Sequence, residues 1–318
     1  MADNVKIDLS VVVPVYNSEE TLQPLFERIQ QTCTNNAWTF EVIFVDDYSQ
    51  DKSWQVLRQL KQTYPSQIVA IKLAKNSGQH SALMCGFNYI RGKWVITIDD
   101  DLQNPPEDIV ELIKCQRQTK ADLVYGVYQK GQKKHSIIRN MGSIVLRKIL
   151  ESATGSIRES SAFRLINAKI VEELRRHRQM HIYIDQILSW YTQNTATALV
   201  RHFPREAGTS GYSMFKLISF TLGIIINYTV LPLRLITYIG LIASFSSFVL
   251  GTRFIILKML SDIKVAGFTA IMVAITFSAG LLMFSLGIIG EYISRIYISQ
   301  TQRPIYSVEK SLIIDEIS

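Results

Sequence analysis

The sequence has few cysteines and no pattern that pairs them. Three cysteines (Cys33, Cys85 and Cys115) occur among 318 residues, none in a Cys-x-x-Cys or metal-ligand spacing. Disulfide-stabilised folds and zinc centres are therefore not indicated, and we expect reduced thiols in a domain that faces the cytosol. The first residues also lack a basic region followed by an apolar segment, so we expect no signal peptide.

Three motifs that would assign other chemistries are absent as well. The turn after the first predicted strand has no G-x-G-x-x-G, so the phosphate fingerprint of a dinucleotide-binding Rossmann site is missing. Ser161 has no nucleophile-elbow context, so it receives no hydrolase role. Trp190 lies outside any Gln-x-x-Arg-Trp motif, which a processive polysaccharide synthase would carry.

Charged and apolar residues are unevenly distributed along the chain. The formal net charge is +7, and the basic residues concentrate at 130–148, 164–178 and 201–216. Residues 217–290, directly downstream, are strongly apolar. A basic stretch beside an apolar one suits an anionic membrane surface or phosphate-bearing substrates better than nucleic acid.

The apolar part predicts two transmembrane helices. Leu235–Thr252 contains no charge, and Phe268–Gly290 is uncharged and about 35 Å long as a helix, enough to cross a bilayer core. Leu217–Leu233 is also uncharged, but Pro232 separates it from the next segment. We interpret it as an interfacial helix, with a third span as the alternative. Two spans leave both termini in the cytoplasm and cannot easily line a transport path for a sugar.

These features predict four regions. They are a cytoplasmic catalytic domain at 1–212, an interfacial amphipathic helix at 213–231, a two-helix transmembrane region at 232–290, and a cytoplasmic tail at 291–318.

The first 130 residues alternate strands with helices of about 10–15 residues. Apolar, β-branched runs predict strands at 9–15, 40–45, 68–73, 94–98 and 123–127. This alternation predicts an α/β domain with a Rossmann-like, doubly wound and mostly parallel sheet.

Three consecutive carboxylates, Asp99, Asp100 and Asp101, follow the fourth predicted strand. An extended backbone would point Asp99 and Asp101 to one side, with Gln103 as a third oxygen ligand. Such hard oxygen donors suit Mg²⁺ or Mn²⁺ and leave positions open for substrate phosphates. The alternative is a solvated acidic turn. We favour a cation, because no Lys or Arg stands beside the three acids to neutralise them.

Polar clusters also follow the first two predicted strands, at Tyr16-Asn17 and Asp46-Asp47. Open α/β sheets bind ligands beyond the carboxyl ends of their strands. Asp46 or Asp47 is therefore a candidate for recognising the base or ribose of a nucleotide whose phosphates are held through the metal. The alternative is that Asp47 or Ser49 caps the helix after residue 51, and the two roles are compatible.

Taken in order, the motifs resemble those of the family 2 glycosyltransferases of the GT-A fold. Within that family they are similar to the polyprenyl-phosphate glycosyltransferases, which include bactoprenol glucosyltransferases and dolichol-phosphate mannose synthases. The resemblance covers nearly the whole chain and rests on residues 12–17, 45–51, 76–78, 98–107, 163–165, 205–212, 290–297 and 303–306.

The resemblance implies a role for each matching residue. Those implied to bind the nucleotide sugar are Pro14, Tyr16, Asp46, Asp47, Asn76 and Asp99. Those implied to lie near the acceptor phosphate are Arg139, Arg164, Arg205 and Ser210. The implied metal ligands are Asp99, Asp101 and Gln103, and the implied catalytic positions are 101, 162 and 164 (Asp101, Ala162 and Arg164).

The implied activity is inverting transfer of one sugar from a nucleotide sugar to polyprenyl (undecaprenyl) phosphate, with Mg²⁺ or Mn²⁺. The implied setting is a multi-pass protein of the cell inner membrane with a cytoplasmic catalytic domain. Glucose from UDP-glucose is expected, with mannose from GDP-mannose as the alternative. Two thin spans leave room for a homo-oligomer, and a non-enzymatic nucleotide-sugar-binding protein is the competing function.

Three positions depart from the family pattern. Ser18 stands where relatives commonly have Glu, and Asp100, which we therefore rank below its neighbours, stands where they often have Ala. Ala162 replaces an Asp held to be catalytic, so either the chain is an inactivated variant or another residue fills the role. The acceptor phosphate is already anionic near neutral pH, so a general base matters less than for a hydroxyl acceptor.

Overall fold

The computed structural model describes residues 7–128, 161–176, 183–203, 231–260, 267–301 and 304–313. The chain divides into two units, one of Met1–Gly211 with Arg303–Ser318 and one of Tyr212–Gln302. Of the predicted interfacial segment, residues 213–230 lie outside the described residues.

In the described part of the first unit, eight strands form one sheet. In chain order they are β1 Leu9–Val15, β2 Phe40–Asp46, β3 Ile68–Leu73, β4 Trp94–Thr97, β5 Leu123–Tyr128, β6 Arg164–Asn167, β7 Thr195–Val200 and β8 Val308–Leu312.

Among the described residues, six α-helices accompany these strands and two long helices belong to the second unit. The first six are α1 Leu22–Asn35, α2 Ser53–Thr63, α3 Gln79–Phe87, α4 Ile109–Thr119, α5 Ala168–Arg175 and α6 Ile184–Tyr191. The long pair is α7 Leu231–Leu260 and α8 Phe268–Gln300.

The strand order is β7-β5-β6-β4-β1-β2-β3-β8. β1 is parallel to both β2 and β4, β2 is parallel to β3, and β5 is parallel to β7. β6 runs antiparallel to β4 and β5, and β8 runs antiparallel to β3. The prediction of a mostly parallel α/β sheet is therefore confirmed, with two antiparallel strands added to it.

Both faces of the sheet are covered, which explains why β1 is apolar at nearly every position. Val11 and Val13 pack with Phe26 of α1 on one face, while Val12 packs with Phe87 of α3 on the other. A strand buried on both faces reads as a continuous apolar run rather than an alternating one. The five predicted strands agree with β1 to β5 to within one residue at each end.

The C-terminal part of the chain supplies the last strand of the sheet. α8 extends to Gln300, so the first ten residues of the predicted tail are helical. The chain then returns to the first unit, where β8 pairs with β3 and Glu309 lies 3.7 Å from Lys72. The pairing joins residues more than two hundred positions apart, which local sequence patterns do not report.

The two helices of the second unit are apolar and expose large side chains, including Phe245 on α7 and Met283 on α8. Among the described residues one stretch, Phe277–Ile298, is long and apolar enough to cross a membrane. α7 contains a shorter apolar stretch, Leu233–Ala243. The structure therefore gives one candidate span where the sequence predicted two.

Replacing Gly86 with Ala should destabilise the first unit. A Cβ atom at this position would lie 2.5 Å from Val12 Cγ1 and 3.2 Å from Val45 Cγ2, so α3 would have to move away from the sheet. We expect a loss of about 1–3 kcal/mol, seen as a lower Tm of the purified protein in detergent. Gln59→Ala, at an exposed position of α2, is the control. Equal Tm values for Gly86→Ala and wild type would contradict this packing.

Candidate functional site

The carboxyl ends of three parallel strands lie side by side in the sheet. β1 lies between β2 and β4, with Val15 opposite Asp46 and Val12 opposite Thr97. The segments that follow these strands therefore start from one edge. We call this region, made of residues 16–18, 46–49 and 98–103, the carboxyl edge. It brings together the three polar clusters that the sequence separates by up to 85 positions.

The carboxyl edge holds strained backbone. Asn17, Tyr48 and Leu102 follow β1, β2 and β4, and their φ angles are 54°, 65° and 58°. Left-handed conformations are costly for non-glycine residues and persist only where surrounding contacts impose them. Ala37 and Lys120 share this conformation but follow the ends of α1 and α4, where it is ordinary. Strain repeated at three neighbouring strand ends marks this edge as a candidate functional site.

Asp47 fixes the segment that follows β3. Its Oδ1 accepts a hydrogen bond from the backbone N–H of Ser77 at 2.6 Å, and its Oδ2 accepts one from that of Gly78 at 2.8 Å. Burial raises the pKa of this carboxyl, and the two backbone hydrogen bonds oppose the rise. Asp47 thus orders the loop that carries Asn76, whose own side chain is exposed.

Asp46 is fully buried and has one unsatisfied oxygen. Its Oδ1 accepts a hydrogen bond from the backbone N–H of Ser49 at 2.9 Å. Its Oδ2 has no hydrogen-bond partner among the described residues. Burial raises the pKa of this carboxyl. A buried acceptor without a partner is costly, and a ligand N–H or O–H would satisfy it.

The helix-capping alternative for Asp47 and Ser49 is wrong. Ser49 Oγ accepts a hydrogen bond from the backbone N–H of Asn17, which joins the β1 and β2 loops. It is Asp51 that supports the start of α2, because its Oδ1 accepts a hydrogen bond from the backbone N–H of Ser53 at 3.0 Å. Asp47 and Ser49 therefore serve the carboxyl edge.

The acidic loop after β4 is a turn rather than an extended strand. β4 ends two residues before Asp99, and the positive φ of Leu102 redirects the chain. Asp99 Oδ1 accepts a hydrogen bond from Gln79 Nε2 at 2.6 Å, and Asp101 Oδ1 accepts one from the backbone N–H of Gln103 at 3.2 Å. The backbone here is therefore not the extended strand that the sequence analysis expected, and each of the two acids is held by a hydrogen bond instead.

Asp100 makes the contacts that the sequence analysis missed. Its Oδ2 accepts hydrogen bonds from the backbone N–H of Tyr16, at 3.0 Å, and from the hydroxyl of Ser18. Burial raises the pKa of this carboxyl, and the hydrogen bonds from Ser18 and Tyr16 oppose the rise. The one signal in the sequence was that Ser18 and Asp100 both depart from the family pattern.

Two residues implied to bind the nucleotide lie on β1 and in the loop after it. Pro14 is buried within the strand, opposite Val45 of β2. Tyr16 is half exposed, so its ring is open to a ligand, while its backbone N–H is held by Asp100.

Ala162 and Arg164 are held by the protein interior. The carbonyl of Ala162 accepts a hydrogen bond from the Thr97 hydroxyl at 2.6 Å, and Arg164 Nε donates to the Ser161 carbonyl at 2.9 Å. The Arg164 guanidinium lies 3.1 Å from Asp185 Oδ1, and its side chain is 2% exposed. Arg164 is therefore enclosed, and it holds the backbone of Ser161 beside residue 162.

A buried cluster of ionisable groups surrounds Arg164. Burial raises the pKa of Asp185, although the charge of Arg164 opposes this. Burial, followed by repulsion from Arg164, lowers the pKa of His80 to about 4. The His80 ring packs edge-on against Tyr183, with centroids 5.2 Å apart. His80 is therefore neutral near pH 7.

Three residues implied to lie near the acceptor phosphate are outside the described residues. They are Arg139, Arg205 and Ser210. Across the described residues, no three side chains of the His, Cys, Asp or Glu type are grouped as metal ligands.

Comparison with known proteins gives a family and two similar relatives. The model of glycosyl transferase family 2 matches residues 10–175. An undecaprenyl-phosphate 4-deoxy-4-formamido-L-arabinose transferase of Serratia proteamaculans is 35% identical over 307 residues, covering 95% of this chain and 93% of the relative. A protein of the same name from Yersinia enterocolitica is 34% identical over 316 residues, covering 98% and 95%.

Among solved structures, the chain is similar to glucosyl-3-phosphoglycerate synthase from Mycobacterium tuberculosis, crystallised with Mn²⁺, uridine diphosphate and phosphoglyceric acid. The identity is 18%, the TM-score is 0.49, and the match covers 69% of this chain and 76% of that one.

His80 should make the first unit less stable as the pH falls from about 6.5 to about 4. The pKa of His80 is about 4 in the folded chain and 6.5 without its surroundings. Between these values the unfolded state binds more protons, so stability is lost as the pH falls through this window and is unaffected above it.

The measurement compares the Tm of wild type and of His80→Gln at pH about 7.5 and about 5. Wild type should lose more Tm than the variant, since glutamine does not titrate. The buried carboxylates, whose raised pKa values act in the opposite direction, are common to both proteins and cancel. Equal losses would contradict the burial of a neutral His80.

Proposed function

The chain belongs to glycosyltransferase family 2, and on that premise we propose that it transfers one sugar from a nucleotide donor to a polyprenyl phosphate at the cytoplasmic face of the inner membrane. The observation that carries this proposal is the carboxyl edge. Five carboxylates from two strand ends converge there, and Asp46 offers a buried oxygen without a hydrogen-bond partner among the described residues. A nucleoside, which supplies several N–H and O–H donors, would satisfy that oxygen.

The donor is bound in two parts. Asp46 and the open ring of Tyr16 take the base and ribose, while Asp47 orders the neighbouring loop that carries Asn76. Asp99 and Asp101 on the acidic loop take the diphosphate through a divalent cation. UDP is the proposed nucleotide, with GDP as the alternative.

The acceptor and the sugar are inferred from the named relatives. Proteins named undecaprenyl-phosphate 4-deoxy-4-formamido-L-arabinose transferase match nearly the whole chain, which favours undecaprenyl phosphate as acceptor. Their names favour a formamido-arabinose over the expected glucose. Arg139, Arg205 and Ser210 are proposed to meet the acceptor phosphate, with Arg164 supporting them from the interior.

We propose that the chain crosses the membrane twice, once with each long helix. Phe277–Ile298 of α8 meets the length and hydropathy of a span, and α7 is 30 residues long with an apolar stretch at Leu233–Ala243. A lipid-borne acceptor requires the catalytic domain to work beside a bilayer, and exposed apolar side chains on both helices suit lipid contact.

The acidic loop has the donor chemistry for Mg²⁺ or Mn²⁺. Asp99, Asp101 and Gln103 offer only oxygen ligands. Mg²⁺ is often held by one or two carboxylates together with substrate phosphates and water, so a set of three protein acids is not required. A cation bound there would stabilise the negative charge of the departing nucleoside diphosphate.

The reaction is a displacement at the anomeric carbon of the sugar. An oxygen of the acceptor phosphate forms the new C–O bond from the face opposite the leaving group, and the bond to the nucleoside diphosphate breaks with its electron pair. The phosphate is already ionised near neutral pH, so no proton has to be removed. An acid at position 162 would then orient the acceptor rather than deprotonate it, and we propose that its replacement by Ala162 lowers the rate.

Restoring the acid tests the proposal most directly. Purified protein in detergent is incubated with Mn²⁺, undecaprenyl phosphate and radiolabelled UDP- and GDP-sugars, including the formamido-arabinose and glucose donors. We expect lipid-linked label from one donor, and a rate about tenfold higher for Ala162→Asp, below the ~10²–10⁴ of a general base acting on a hydroxyl acceptor. Ala162→Asn, similar in shape but uncharged, is the control.

Two results would change the assignment. The absence of any rise in Ala162→Asp would sink the proposal that Ala162 limits the rate. If neither wild type nor Ala162→Asp gives lipid-linked label while donor binding is intact, the result would favour a membrane-tethered nucleotide-sugar-binding protein. Ala162 is the one feature of the sequence that supports this alternative.

Asp101→Asn should weaken donor binding only when the cation is present. In the presence of Mn²⁺ we expect the Kd of UDP to rise by about tenfold or more, since even outer-shell changes at metal sites cost this much. With EDTA, wild type and variant should bind UDP equally weakly. Glu111→Gln, an exposed acid on α4, is the control. A variant that keeps the full Mn²⁺ effect would contradict Asp101 as a ligand.

A further inference from the structure

Asp100 bridges the loop after β1 and the acidic loop after β4. Its Oδ2 accepts hydrogen bonds from the Tyr16 backbone N–H at 3.0 Å and from the Ser18 hydroxyl. Its carbonyl accepts a third hydrogen bond, from the Thr21 hydroxyl at 2.5 Å. All three donors lie in residues 16–21, about 80 positions earlier in the chain, so one residue joins two loops.

The three neighbouring acids have different partners. Asp101 accepts a hydrogen bond from within its own loop, and Asp99 accepts one from the first residue of α3. The hydrogen bonds of Asp100 instead reach the loop after β1. Its side chain is therefore turned toward the side of the carboxyl edge that carries Tyr16.

The bridge also accounts for how two strained loops keep their shape. Asn17 and Leu102 have positive φ angles and lie on either side of the bridge. Such conformations require contacts that impose them, and charged hydrogen bonds are among the stronger ones available. Without the Asp100 side chain, the loops would keep the hydrogen bond from Thr21 to the backbone carbonyl of residue 100 but would lose the two hydrogen bonds from Tyr16 and Ser18.

We propose that Asp100 is a positioning residue that holds the nucleoside-binding loop 16–21 in register with the acidic loop 99–103, so that one donor molecule can engage both. This inference rests on the proposed function, because it concerns how the two halves of a nucleotide donor are bound together. In this role Asp100 does not contact the nucleotide sugar itself.

The same contact connects two departures from the family pattern. Ser18 stands where relatives commonly have Glu, and Asp100 stands where they often have Ala, yet these two residues hydrogen-bond to each other. Because the two side chains are in contact, we expect that one carboxylate between the loops can be supplied from either position.

The test compares a nucleotide whose binding needs both loops, 16–21 and 99–103, with one whose binding needs only the first. The Kd of UDP with Mn²⁺ reports both loops, and the Kd of UMP without metal reports the nucleoside side; GDP and GMP are run in parallel. The variants are Asp100→Ala and, should that protein fail to fold, Asp100→Asn and Ser18→Ala. We expect the Kd of UDP with Mn²⁺ to rise by about tenfold, a coupling of ordinary size, while that of UMP changes less than twofold.

A matched control lies at the opposite edge of the sheet. Asp8 Oδ2 accepts hydrogen bonds from the backbone N–H and the hydroxyl of Thr39. Asp100 Oδ2 likewise accepts one from a backbone N–H and one from a hydroxyl. Asp8→Ala removes an equivalent bridge next to the amino ends of β1 and β2 and should leave both Kd values unchanged.

Three results would overturn the inference or its premise. If Asp100→Ala binds UDP with Mn²⁺ as tightly as wild type, Asp100 is not a positioning residue. If UDP and UMP weaken equally, the variant has damaged the nucleoside site itself, and the inference fails as well. If wild type binds none of the four nucleotides, the proposed function is wrong. This result comes from wild type alone, so it is distinct from a failure of the variants.

Moving the acid from position 100 to position 18 is a reciprocal test. Ser18→Glu alone places two carboxylates against each other and should weaken UDP binding, whereas Ser18→Glu combined with Asp100→Ala should recover it to within about threefold of wild type. A double variant as weak as Asp100→Ala would contradict the expectation that either position can supply the carboxylate.

Discussion

The parallel pairing of β1 with both β2 and β4 is the constraint on which the rest of the catalytic unit depends. It places the ends of three strands at one edge, and each strand is followed by polar or acidic residues. Convergence of carboxylates at a buried edge is costly, because burial and mutual repulsion both disfavour the charged forms. The pKa values of Asp46, Asp47 and Asp100 are all raised by burial. A bound cation would offset the repulsion between these carboxylates, and a bound nucleotide would supply hydrogen-bond donors to them.

The carboxylates at this edge also build the loops that surround them. Asp47 orders residues 77 and 78, and Asp100 joins the acidic loop to the loop after β1. Both act through backbone N–H groups, so the shape of the site depends on acids that need not contact a substrate. The two hydrogen bonds that Asp100 Oδ2 accepts lie on either side of Asn17, one of the three residues at this edge in a left-handed conformation. A family comparison that looks only for ligand-binding acids would overlook such roles.

The other side of the site is organised by the buried pair of Arg164 and Asp185. An enclosed ion pair is weak support for stability, but removing one partner leaves an uncompensated charge, so the pair fixes local structure firmly. Here it holds the backbone at Ser161 and, with the Thr97 hydroxyl, the carbonyl of Ala162. Position 162 is therefore held by its neighbours even though it lacks an acid. Because the backbone at position 162 is held in place, a carboxylate restored there would have a defined starting position.

The sequence by itself determined the five strands from 9 to 128, the doubly wound class and the acids at the strand ends, because apolar periodicity and strand-breaking residues are local signals. It also carried the family, through motifs kept in order. Only the tertiary structure decided that Arg164 is enclosed, that β8 returns to pair with β3, and that Asp100 reaches Ser18. Each of these joins residues far apart in the chain, and no local pattern encodes which distant groups a fold will bring within hydrogen-bond distance.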